Sequence, residues 1–193
     1  MSTASGITKL VKAGFVQLDD VTGVVLRIIV FQYNPETLVR RLESVNPAIP
    51  LPPPPAIPPS PRELVSFTLA FDAADKLELG DPLTAQNGIL PAISALEFLL
   101  YPRKGELTLW VSGGKRIIPV RITELQITEQ AFDAALNPIR AEVAVTLTVL
   151  KDADFANDPR GRALWDAHFA QLQQLATSIY NGGSLAALGL KGI

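Results

Sequence analysis

The stretch Pro138-Ile-Arg-Ala-Glu-Val-Ala-Val-Thr-Leu-Thr-Val-Leu150 decides the fold. Ala141, Val143, Val145, Leu147 and Val149 fall on one side in unbroken alternation, the period at which a strand presents side chains to a core. Upstream, Arg116 to Ile127 reads as a long partner strand. Its apolar set shifts register between Ile122 and Leu125, so a bulge is expected near Thr123–Glu124. Glu106 to Ser112 is a further strand, closed by a Gly113–Gly114 hairpin turn. Leu64 to Asp72 alternates too, with Phe67, Leu69 and Phe71 set against Ser66, Thr68 and Ala70.

Towards the N-terminus, Ala13 to Asp20 predicts a strand with Phe15, Gln17 and Asp19 opposite Val16 and Leu18. The β-branched run Val24 to Phe31 follows a turn at Asp19–Gly23 and continues through Asn34–Pro35, where the residue before proline is held extended. So continuous an apolar run implies two faces away from solvent. A strand at a joint between subunits meets that condition, and so does a strand buried inside one sandwich. Thr37 to Ser44 fits either a strand or a short helical turn. Asp75 to Gln86, polar and carrying Gly80-Asp81-Pro82, reads as a loop.

Two helices interrupt or follow these strands. Gly88 to Tyr101 places Ile89, Leu90, Ile93, Leu96, Leu99 and Leu100 at helical spacing, with Asn87 as the expected N-cap, Pro91 in the first turn and Pro102 marking the end. Arg160 to Tyr180 sets Leu164, His168, Leu172, Leu175 and Ile179 on one side, and Asn181-Gly182-Gly183 would cap it. Six or seven strands with short turns and these two helices predict a mainly β (α+β) fold, a barrel or sandwich with one flanking helix and a C-terminal helix. The β domain is expected over residues 1–150 and a helical extension over 151–193.

Nine of the 16 prolines lie between residues 47 and 61. Without amide donors this stretch cannot join a sheet ladder, so it is expected to be an extended loop. It fits a solvated linker and equally a stiff arm reaching a neighbouring subunit. A ligand for a proline-recognition domain is a third reading.

Composition excludes several function classes. The formal net charge is −2 and no basic run exists, which leaves nothing to neutralise phosphates, so no nucleic-acid partner is expected. Cysteine is absent and His168 is the single histidine, which removes disulfides, thiolate chemistry and Cys- or His-built zinc sites. No stretch approaches the ~20 apolar residues of a membrane span, and Met1 to Lys12 lacks the apolar core of a signal peptide. No membrane insertion is expected, and the chain reads as cytoplasmic at synthesis, within a particle that stays in the cell or leaves it.

No catalytic constellation stands out. His168 has no evident nucleophile partner, and no G-x-S-x-G, P-loop or G-x-G-x-x-G occurs. The acidic pairs Asp19–Asp20, Asp72–Asp75 and Asp152–Asp154 lie in expected turns without the graded spacing of a calcium loop. Trp110 and Trp165 read as core or interface. No catalytic, cofactor-binding or metal residue is assigned, and no enzyme is expected.

Two stretches carry a further pattern. One is Phe31-Gln-Tyr-Asn-Pro-Glu-Thr-Leu-Val-Arg-Arg41; the other is Pro119-Val-Arg-Ile-Thr-Glu-Leu-Gln-Ile-Thr-Glu-Gln-Ala-Phe-Asp133, continuing through Leu136-Asn-Pro-Ile-Arg-Ala-Glu-Val143. Between them lie Val65 to Asp72, Gly88-Ile-Leu-Pro91 and Ala95 to Pro102. Over residues 9 to 150 this order resembles the N-terminal tube-type domain of contractile injection system proteins, the phage-tail-like particles. The resemblance implies a fold like phage tail-tube proteins and the hemolysin-coregulated protein of type VI secretion. It also implies a hexameric ring that acts as tube initiator or adaptor between the inner tube and the spike hub and baseplate. Implied partners are further copies of the chain, the spike or hub protein, the inner tube protein and other baseplate proteins. Residues 151–193 are too short and too helical for the LysM module that many members carry.

Stacked rings need polar contacts that set register. Candidates are Asn34, Glu36, Arg40 and Arg41 near the first motif, and Asp133, Asn137 and Arg140 near the second. All seven also fit ordinary turn residues and surface charges. Alternatives to the adaptor are an ordinary tube or tube-terminator ring, a small-ligand-binding β-barrel, and a hydrolase using an unmarked carboxylate pair.

Overall fold

The computed structural model describes residues 11–44, 61–113, 116–155 and 158–180. The proline-rich stretch, apart from Pro61, lies outside them, as do Gly114 and the expected cap at 181–183. Among the described residues seven strands form one antiparallel sheet: β1 (Gly14–Asp19), β2 (Val25–Val30), β3 (Leu38–Glu43), β4 (Arg62–Asp72), β5 (Glu106–Ser112), β6 (Arg116–Phe132) and β7 (Pro138–Val149). Their order is β2-β1-β5-β6-β7-β4-β3, so β2 and β3 are its two edges.

The β7 alternation does what its pattern requires: Ala141, Val143, Val145, Leu147 and Val149 are all at most 1% exposed. Their partners across the ladders are Val65, Phe67, Leu69 and Phe71 of β4 on one side and Ile122, Leu125 and Ile127 of β6 on the other. The register shift in β6 falls between Ile122 and Glu124, where the bulge was expected. It keeps both apolar halves of a 17-residue strand on the same face. β6 runs five residues beyond the predicted Ile127. Thr128 to Gln130 are polar on both faces and leave no periodicity to read; their order comes from pairing with Arg140 to Glu142.

The sheet is rolled. β1 and β4 stand four places apart in it, which would separate them by about 19 Å in a flat sheet at ~4.8 Å per strand. Instead the Phe15 and Phe67 ring centroids are 6.5 Å apart, and Phe67 stacks on Trp110 of β5 at 5.8 Å. The two edge strands are consecutive in the chain, so residues 31–37 must cross from one end of the sheet to the other. Phe31 drops between Phe15 and Phe67, at 5.2 and 5.7 Å. Gln32 bonds both backbone groups of Asp72 at the end of β4, donating to its carbonyl (2.7 Å) and accepting from its amide (3.1 Å). Asn34 accepts from the Ala13 amide at 2.8 Å and donates to the Val11 carbonyl at 2.9 Å, beside the start of β1. The Phe-Gln-Tyr-Asn-Pro motif is thus the strap that ties the rolled sheet's ends together. The strand predicted to continue through Asn34–Pro35 ends at Val30 for this reason.

Three helices separate β4 from β5: α1 (Ala74–Glu78), α2 (Pro82–Asn87) and α3 (Leu90–Phe98). The first two replace the loop expected over 75–86. Asp81 supplies the missed signal, since its carboxylate accepts from the Leu83 and Thr84 amides (3.0 and 3.4 Å) and Pro82 follows as the first helical residue. Asn87 is not the cap of α3. It ends α2, donating to the Leu83 carbonyl, and Ile89 occupies the cap position without a side-chain bond. Gly88 separates the helices at φ 56°, where any Cβ would sit 2.1 Å from the Pro138 carbonyl oxygen. Ile89, Ile93, Leu96 and Leu99 enter the core; Leu90, predicted with them, is 38% exposed.

After a short 3-10 turn (Asp152–Phe155), α4 (Pro159–Tyr180) lies against β6. Leu107, Leu109, Leu150 and Phe155 form a second, smaller core on the outer side of the sheet, with Val16, Leu18, Leu164 and Trp165 packed on it.

Candidate functional site

The first candidate surface is the β2 edge. The two sequence readings of Val24 to Phe31 divide here. β2 is not buried within a sandwich: Val25, Leu26, Ile28 and Val30 are 42–63% exposed, with Val24 beside them at 59%. Only Arg27 and Ile29 turn inward, opposite Gln17 and Phe15. One apolar face and the outer backbone edge of this strand have no partner among the described residues. Such an edge is a template for pairing with another chain, and most natural sheets blunt it with charges or proline. Between Val24 and Val30 the one charge is Arg27, and it is turned inward to a polar cluster.

That cluster was not legible in the sequence. Gln17, 1% exposed, donates to Glu106 at 3.0 Å and accepts from Arg27, which reaches Glu106 at 3.3 Å. The Arg27 guanidinium lies 4.6 Å from the centre of the Phe98 ring. The Arg103 amide, first, and Arg27 hold the Glu106 carboxyl below the usual glutamate range.

The seven predicted contact residues are not brought to one place. Asn34 is used in the strap. Arg40 turns inward, pairing with the buried Glu63 at 2.7 Å. Arg41 is exposed and paired with Glu43 of its own strand at 3.0 Å. Asp133 closes the β6–β7 turn, accepting from the Ala135 and Asn137 amides and from the Asn137 side chain (2.8, 2.8 and 2.9 Å). The Asn137 side chain first, then the turn amides, hold its carboxyl low. Arg140 pairs with Asp72 at 2.9 Å across β7 and β4. Glu36 is exposed and makes no ion pair among the described residues; it lines an open groove with Tyr33, Thr37, Thr68 and Glu142. Five of the seven therefore have clear work inside the subunit, leaving Glu36 and Arg41 most available to a neighbour.

The second candidate surface is α4. The predicted apolar side divides in two. Leu164 is half-buried and His168 is 7% exposed, while Leu172, Leu175 and Ile179 are 37, 61 and 75% exposed. The histidine touches Trp165 and, among the described residues, has no hydrogen-bond partner on either ring nitrogen. Burial, the largest influence, lowers its pKa from 6.5 against the opposing effect of Glu63; Arg40 and Arg116 lower it further. A group whose folded pKa is depressed contributes stability above its unfolded pKa and loses it as pH falls. The melting temperature is therefore expected to fall as pH drops below 6.5, and His168→Leu should remove that step while leaving a second decline in the carboxylate range. Thermal melts of both proteins from pH 8 to 4 check this, and a pH-independent parent over 6.5 to 5 would refute it.

Among the described residues no group of three or more potential metal ligands occurs, and no helix is long and apolar enough to cross a membrane. Compared with family models and with curated proteins, the chain matches none.

Proposed function

We propose that this chain is a structural subunit of a contractile injection system, forming a hexameric ring as tube initiator or adaptor between inner tube, spike hub and baseplate. The observation that carries the reading is the uncapped apolar edge of β2. A monomer gains nothing from exposing Val25, Leu26, Ile28 and Val30 on an open strand, whereas a ring covers them with the next copy. The two motif stretches add the family resemblance. In a ring the interface is heterologous, so the β2 edge of one subunit meets a different surface of the next. The exposed Ile179 towards the end of α4, together with Glu36 and Arg41, remains for ring-to-ring or baseplate contacts.

Against a barrel that holds a ligand at its centre, the centre of the rolled sheet is filled by Phe15, Phe31, Phe67 and Trp110. Native mass spectrometry tests the proposal: a species at six times the 20.8 kDa subunit mass supports it, and a monomer at every concentration overturns it.

The proline-rich stretch is assigned to assembly. Its ends are already adjacent, because Glu43 and Arg62 are paired across the β3–β4 ladder. Replacing residues 45–60 by an Asn-Gly turn is therefore expected to leave the melting temperature within a few degrees while impairing assembly. Circular dichroism and native mass spectrometry on the same sample check this; loss of the folded subunit would contradict it.

A further inference from the structure

Between α4 and the inner face of the sheet is a cavity of about 250 Å³. His168, Gln171, Leu172 and Leu175 of α4 line one wall; their spacing of three, four and seven residues puts them on one helix face. The opposite wall is Trp110 of β5, Arg116 and Ile118 of β6, and Arg40 of β3. Its lining combines polar and apolar side chains.

The polar groups here are unusual in what they lack. The Trp110 indole N–H is buried and has no acceptor among the described residues. Neither nitrogen of His168 has a partner among the described residues, although the residue is more than nine-tenths buried. Leaving a buried donor unmade costs about 1–3 kcal/mol, and a native fold rarely carries two such residues side by side without a use. Arg116 makes no ion pair among the described residues, and Arg40 spends its charge on Glu63. The lining therefore offers more donors than acceptors, its acceptors being the unprotonated imidazole nitrogen of His168 and the Gln171 amide oxygen. An indole N–H, an imidazole N–H and an unpaired guanidinium all call for oxygen acceptors, and the guanidinium calls for an anionic one. Leu172, Leu175 and Ile118 call for an apolar body behind it.

We propose that this cavity is a binding site for a small organic carboxylate with an aromatic or short aliphatic body. The oxygens would accept hydrogen bonds from the Trp110 and His168 N–H groups and from the Arg116 guanidinium, and the hydrocarbon part would lie against Leu172, Leu175 and Ile118. The volume sets the size class. It is below the ~300–1,000 Å³ of drug-sized clefts and above the ~150 Å³ that admits a benzene ring. The site lies within one subunit, and does not depend on ring formation.

A single histidine makes the test specific. In protein labelled with nitrogen-15, benzoate is titrated while the His168 ring and the Trp110 indole resonances are followed. Benzyl alcohol serves as the uncharged analogue and inorganic phosphate as the anion without a body. Saturable shifts of both resonances are expected with benzoate, at a Kd on the order of 1 mM or lower, together with an upward movement of the His168 titration. Glu63, Arg40 and Arg116 are the charged groups around that ring, and an added anion works with Glu63 against the other two. Arg116→Gln should weaken benzoate about tenfold, with Arg116→Lys recovering part of the loss. Arg116 is exposed at the start of β6, so neither variant endangers the fold. The absence of saturable shifts with benzoate overturns the proposal. So does equal binding of benzyl alcohol, or binding unaffected by Arg116→Gln. The readout is a side-chain resonance and not an assembly state, so failure here and failure of the ring are separately visible.

Discussion

Lysine at both Ile28 and Val30 is expected to abolish the ring and leave a folded monomer. Both side chains lie on the outer face of β2, at 63 and 60% exposure, opposite Val16 and Gly14 of β1. Neither belongs to a buried core. The loss of strand preference at two exposed positions amounts to about 1 kcal/mol, well within the 5–15 kcal/mol of a typical domain. Against a neighbouring copy the same change is severe. It places two ammonium groups where an apolar face is to be covered, and desolvating an unpaired charge costs several kcal/mol in practice. Native mass spectrometry of the variant should show the subunit mass alone, with unchanged far-ultraviolet circular dichroism. A hexamer that survives both lysines would mean that β2 is not the joint.

The second large effect concerns the centre of the rolled sheet. Trp110 is 1% exposed and stacks on Phe67, which in turn meets Phe15 and Phe31. Strands from both halves of the sheet and the strap between its edges therefore converge on this one aromatic cluster. Trp110→Ala removes the largest member and leaves a void that a β framework cannot fully collapse, a loss of about 3–5 kcal/mol. Assembly into the proposed ring would stabilise the folded subunit by mass action and mask part of it. The measurement is best made as urea unfolding in the Ile28→Lys, Val30→Lys background. Trp110→Phe should cost less than half as much, because a ring still meets Phe67. A shift below 1 kcal/mol for the alanine variant would show that the aromatic cluster does not hold the roll closed.

Much of this architecture was legible in the sequence where one physical signal acted alone. The β7 alternation, the β4 alternation and the slip in β6 each reflect a single buried face, and each appears where the pattern placed it. Edges and ends were harder. Val24 to Phe31 announced its apolarity but not its position, since an edge strand and a central strand can carry the same residues. The strap read as a continued strand through Asn34–Pro35 because the extended preference before Pro35 says nothing about where Gln32 and Asn34 find partners. Those partners, Asp72, Ala13 and Val11, are 21 to 40 residues away. The Asp81-Pro82 helix start was present in plain form but hidden by the turn-like Gly80 before it.

The same distinction explains the contact residues. Asn34, Asp133, Asn137 and Arg140 stood out as polar residues inside recognisable motifs. Their hydrogen bonds serve the strap, the β6–β7 turn and the β4–β7 ladder. A motif residue can be specific to a fold without facing a partner. The Arg27–Gln17–Glu106 cluster shows the reverse, with three residues from different strands that no spacing rule connects. It also bears on pH: Glu106 is held low, so its contribution is complete above 4.5 and disappears as the pH falls through its folded value.

Electron microscopy of the purified protein tests the central claim most directly. A closed ring of six copies around a lumen, with the outer face of each β2 covered by the adjoining subunit, is the predicted result. Solitary subunits, or two-fold pairs in which β2 stays open to solvent, would contradict it.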